Sequence, residues 1–174
     1  MKMFTRGQRV TGAAEAAVFL DVPDTAPRLV APNPAQLMWM EELREFLRAP
    51  HVRLDDVQHV MSVYLDYCTR WHAQREPQRW NPNTTINALG VALGDLVRGQ
   101  RPDLRWAVVE DSMPTALALV TEGGEPVVSP LDDVAYCWMN RELTWMADYV
   151  ARFAPREAAD LPRRRGLVFR TVGV

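Results

Sequence analysis

The sequence predicts an α+β fold, in which an antiparallel sheet of three or four strands packs against three or four α-helices. Residues 104–128 read as short apolar strands joined by tight turns. Three segments elsewhere open on nearly the same helix-start signal. A glycine-bearing apolar helix over 83–97 runs almost directly into the first strand.

Leu104–Asp111 and Thr115–Glu122 are short and apolar, separated by Ser112-Met113-Pro114. In the first, Leu104, Trp106 and Val108 share one face and Arg105, Ala107 and Val109 the other. In the second, Leu117 and Leu119 alternate with Ala116, Ala118 and Val120. Glu122-Gly123-Gly124-Glu125 marks a hairpin, because paired glycines supply the positive φ that tight turns need. Pro126-Val127-Val128 returns as a third strand, and its proline, with no amide hydrogen, suits a strand start or an edge. Leu167–Val174 also has strand composition and is expected to extend the sheet.

The helix before the strands presents Ile86, Leu89, Leu93 and Val97 at helical spacing, widened by Val91 and Leu96, with Asn83, Thr84 or Thr85 as its cap. Gly90 and Gly94 lie on one side of it. A glycine inside a helix costs about 1 kcal/mol relative to alanine, so a close-packed neighbour is expected there to offset it. Asn33-Pro34-Ala35-Gln36 is a capping box with proline at the first helical position, opening a helix that faces Leu37, Met40, Leu43 and Leu47 inward. Asp55-Asp56-Val57-Gln58 opens the next, with Asp55 as cap and Val57, Val60, Met61, Tyr64, Cys68 and Trp71 on one face. Ser129-Pro130-Leu131-Asp132 opens a third, expected to run unbroken to Phe153. Its apolar face is double. Leu131, Val134, Ala135, Trp138, Trp145 and Tyr149 form one stripe, while Tyr136, Met139, Leu143, Met146 and Val150 form another that faces either the core or a second copy of the chain.

At 174 residues the chain suits one domain over 33–174, preceded by a proline-punctuated arm over 1–32. A net charge of −2 gives no bulk attraction to nucleic acid or to an anionic membrane. The N-terminus lacks a signal-like apolar core, and no run approaches the ~20 apolar residues of a membrane span. Two cysteines, Cys68 and Cys137, both on predicted helices, make no disulfide framework. A cytoplasmic location is expected.

Chemistry is sparse in the sequence. Cys68 and His72 share a helix face, but two ligands are too few for a metal site. No G-x-S-x-G elbow is present, and no cofactor is expected. Of the acidic pairs, Glu110-Asp111 alone lacks a helix-end or exposed-face explanation. A carboxylate there, at the end of the 104–111 strand, suits a hydrolase or isomerase if buried, and an ordinary Asp turn if not. Among six tryptophans, Trp80, Trp106, Trp138 and Trp145 are the candidate binding residues, Trp80 standing in a proline-flanked loop. Arg163-Arg164-Arg165 reads as a solvated charge run rather than a phosphate contact, so nucleic acid is not an expected partner.

NALGVALGDLV, then LRWAVVEDSMPTALAL, then SPLDDVAYCW resembles the bacterial domain of unknown function 3806 (DUF3806) family over about residues 55–150. The resemblance rests on Gly90, Gly94, Trp106, Val109 and Asp111; where the family has a glycine after the aspartate, this chain has Ser112-Met113-Pro114. It implies an α+β domain and supplies no activity. The expected function is a non-catalytic protein-binding or regulatory module, of the toxin-neutralising kind, that meets another protein or itself.

Overall fold

The computed structural model describes residues 28–49, 51–110 and 116–155. The elements are β1 (Leu29–Val30), α1 (Pro34–Arg48), α2 (Val57–Ala73), α3 (Asn83–Gln100), β2 (Arg105–Val109), β3 (Ala116–Val120), β4 (Pro126–Val128), α4 (Pro130–Met139) and α5 (Met146–Ala151). The expected α+β arrangement is present. The four strands form one antiparallel sheet in the order β1-β2-β3-β4, with Trp106 opposite Leu119 and Val108 opposite Leu117. Its fourth strand is Leu29–Val30, from the segment read as an arm. The strand expected at Leu167–Val174 lies outside the described residues, as do residues 1–27.

The helices pack on the sheet face that carries Trp106, Val108, Leu117 and Leu119. Ala107, Ala118 and Val120 are buried on the opposite face beside Leu29 and Val109. α3 is the central helix, apolar and buried nearly all round. The two glycines explain how it fits. A Cβ on Gly90 would lie 2.7 Å from Leu131 Cα, and one on Gly94 would overlap the Trp106 ring. Both positions are close-packed contacts, as their cost in a helix led one to expect.

Helix starts follow the sequence with small shifts. The Asn33–Gln36 capping box is complete, the Gln36 N–H reaching Asn33 Oδ1 at 2.9 Å and the Asn33 N–H reaching Gln36 Oε1 at 2.7 Å. α2 is capped by Asp56, not Asp55, because Asp56 Oδ1 lies 2.9 Å from the Gln58 N–H. α3 has no cap from Asn83, Thr84 or Thr85; Asn81 Oδ1 accepts the Asn83 N–H at 3.0 Å instead. On α1, Met40, Leu43 and Leu47 are buried, but Leu37 is 52% exposed, since the first turn projects beyond the core.

The expected single helix over 131–153 is broken. α4 ends in a Schellman turn, with the Glu142 N–H bonded to Cys137 O at 2.9 Å and the Arg141 N–H to Trp138 O at 3.1 Å. Arg141 holds the left-handed position at φ 57°. Three side chains of α2, spaced four apart, meet two carbonyls of this turn. The Tyr64 hydroxyl donates to Glu142 O at 2.7 Å, His72 Nε2 donates to Trp138 O at 2.7 Å, and Cys68 Sγ lies 3.9 Å from the same oxygen. The break divides the second apolar stripe: Met146 and Val150 are buried, whereas Tyr136 and Met139 are 64% and 62% exposed.

Two substitutions test these readings by urea unfolding. Gly94→Ala should destabilise by about 1–3 kcal/mol through overpacking, whereas Gly99→Ala, whose Cβ meets nothing within 4 Å, should be neutral or stabilising. Equal tolerance at the two sites would refute the close-packing account. Arg141→Gly should stabilise by roughly 1 kcal/mol by relieving the left-handed arginine. A continuous helix would instead lose about that much.

Candidate functional site

Trp106 and its surroundings are a structural node. Its indole N–H donates to Asp95 Oδ1 at 3.1 Å, and Arg44 of α1 grips the same carboxylate through Nε at 2.7 Å and Nη2 at 3.1 Å. The bidentate hydrogen bonds to Asp95 hold the Arg44 guanidinium more firmly charged than usual. Trp138 is fully buried, edge-on to Tyr64 and Trp71. Trp80 is half-buried against the core, and its backbone carbonyl accepts the Trp71 indole N–H at 3.0 Å. Glu110 is exposed and paired with Arg28 at 3.1 Å, outside every cavity described. Asp111 lies outside the described residues. Cys68 and His72 do share a face, and both turn to the α4 terminus as above.

Of the four candidate tryptophans, Trp145 is the one that lines one of the four cavities described among the described residues. That cavity, about 440 Å³, lies between α4 and α5 and is bordered by Tyr136, Cys137, Glu142, Asp148 and Tyr149. A second, about 480 Å³, runs between β4 and α5, with Pro126–Ser129 along one side and Phe153 on the other. Both include Asp133, Tyr149 and Arg152, so the two form one trough. The sequence hid this site because its halves lie on either side of an unforeseen break.

Within the trough the Tyr149 hydroxyl donates to Asp133 Oδ2, and the Cys137 thiol lies 3.7 Å from Glu142 Oε2. The Arg152 guanidinium lies 4.7 Å above the Tyr149 ring. Burial, reinforced by Asp133, pushes the Tyr149 phenol well above its usual range. Burial and then Glu142 push the Cys137 thiol from 9.0 up to about 12. Both groups are neutral hydrogen donors at pH 7. A thiol so raised is a poor nucleophile at neutral pH.

A four-stranded antiparallel sheet, helices on one face and a trough beside β4 define an α+β domain with a concave surface beside that strand. The chain carries a domain of the DUF3806 family, a domain of unknown function, whose model matches residues 65–149. That span runs from α2 through the sheet into α5 and so contains most of the trough. No curated protein and no solved structure matches the chain. No helix among the described residues is long and apolar enough to cross a membrane.

The raised thiol gives a pH dependence whose sign is fixed. Above the unfolded thiol's pKa the unfolded chain loses a proton that the folded chain keeps, so stability falls with rising pH. The contribution of Cys137 is intact below about pH 9 and is lost progressively toward 12, with a slope of at most about 1.4 kcal/mol per pH unit. Urea unfolding between pH 8 and 11 should show that decline, and Cys137→Ala should make it shallower, the rest coming from Cys68, Tyr64 and Tyr149, which burial raises in the same direction. An unchanged slope in the variant would count against a buried, neutral thiol.

Proposed function

We propose that the chain is a non-catalytic protein-binding module, regulatory or toxin-neutralising in kind, that meets its partner through α4 and the adjoining trough. One observation carries the reading: Tyr136 and Met139, one turn apart on α4, stand 64% and 62% exposed beside a cavity walled by Trp145 and Tyr149. Large apolar side chains in the open next to a concave aromatic site are the composition of an interaction surface. Asp133, Glu142 and Asp148 surround them with carboxylates that form no ion pair among the described residues.

A photo-crosslinking amino acid at position 136 tests the reading in cells producing the chain. One partner should be captured from position 136 and not from Glu42, exposed on α1. Tyr136→Ala with Met139→Ala should then weaken binding of the purified partner by at least about tenfold, with circular dichroism unchanged. Light scattering on the chain alone reports whether that partner is a second copy. Equal capture from both positions, or full affinity in the double variant, would overturn the proposal.

A further inference from the structure

Building on the protein-binding reading, we propose that the groove between β4 and α5 takes an extended segment of the partner, added beside β4 as a further strand and anchored by a lysine or arginine side chain. Among the described residues β4 is the last strand of the sheet and pairs with β3 alone. A strand bonded along one edge leaves main-chain N–H and C=O groups unpaired along the other. Here that edge borders a cavity of about 480 Å³, with Pro126–Ser129 along one side and Tyr149, Arg152 and Phe153 along the other. An edge strand facing a helix across a groove accepts a peptide by strand addition. Main-chain hydrogen bonds then give affinity, and every second side chain gives specificity.

Charge selects the anchor. Asp133 faces Arg152 in the groove itself, and Glu142 and Asp148 line the adjoining cavity. Among the described residues the trough as a whole is therefore net negative, and an anchor side chain would reach from the groove into that cavity. None of the three carboxylates has an ion-pair partner among those residues, whereas Asp56, Asp66 and Asp103 each have one and Asp95 has two. The Tyr149 hydroxyl holds one oxygen of Asp133 in place without neutralising it, since the phenol stays protonated. Arg152, over the Tyr149 ring, occupies the position an incoming cation would seek, and it shows that the ring face accepts a guanidinium. A basic side chain on the added strand would meet the carboxylates beside Arg152, which already covers that ring face.

The test is a selection of random peptides displayed on phage against the full chain. Enriched sequences should alternate β-branched residues and carry a lysine or arginine. Changing that residue to glutamate in a synthetic peptide should weaken binding at least about tenfold. N-methylation of one alternate set of peptide amides should abolish binding while methylation of the other set is tolerated, and Asp148→Lys on the exposed rim should reduce affinity in a folded protein. Enriched peptides without a basic residue, or indifference to methylation of both sets, would overturn the proposal. So would binding that appears only after residues 156–174 are removed, since the groove would then belong to the chain's own C-terminal segment. Peptides lost with Tyr136→Ala but not with Asp148→Lys would overturn the groove and leave the protein-binding reading standing. No enrichment together with no crosslinked partner would end both.

Discussion

The seat of Trp106 against Gly94 sets the spacing of the whole domain. With no side chain at Gly94, the indole of β2 lies flush on α3, and Pro130 at the start of α4 comes within 3.2 Å of where a Cβ would stand. The adjacent residue, Asp95, accepts the indole N–H and the fork of Arg44, so one turn of α3 fixes β2, α1 and α4 together. The magnitudes explain why the helix tolerates two glycines. Each costs about 1 kcal/mol, while burying a tryptophan's 150–250 Å² is worth roughly 4–6 kcal/mol at 25 cal/mol per Å². Leaving that indole N–H unpaired would forfeit about 1–3 kcal/mol, which is the part Asp95 plays.

Much of this frame was legible because its signals are local. A capping box needs four consecutive residues, and Asn33–Gln36 supplies them. Strand alternation at 104–109 and the Gly123-Gly124 turn likewise read directly, and Gly124 does hold φ +83°. The glycine pair announced a close contact without naming the neighbour. Contacts between distant residues stayed hidden: Arg44 and Asp95 are 51 positions apart, and each alone reads as a solvated helix charge.

The break between α4 and α5 was illegible for a different reason. Nothing in 131–153 is glycine or proline, and the left-handed position is filled by Arg141, a residue that disfavours it. At the turn that ends the helix, Trp138 O and Glu142 O accept from side chains of α2. Tyr64, Cys68 and His72 recur at the helical period on α2, and that row of polar atoms meets the α4 terminus. On sequence those three residues looked like part of an apolar face and half a metal site. Their donors instead meet the turn where another helix ends.

The same break makes the trough. Asp133 and Tyr149 are 16 residues apart, which in a continuous helix would separate them by about 24 Å along the axis. The turn at Asn140–Trp145 brings α5 back so that the Tyr149 hydroxyl reaches the Asp133 carboxylate. It also releases Tyr136 and Met139 from the apolar stripe that Met146 and Val150 continue into the core. The exposed apolar residues and the trough's carboxylates, without ion-pair partners among the described residues, are therefore brought together by the break. α4 ends against α2, α5 folds back toward β4, and the concave surface lies where the straight helix would have left none.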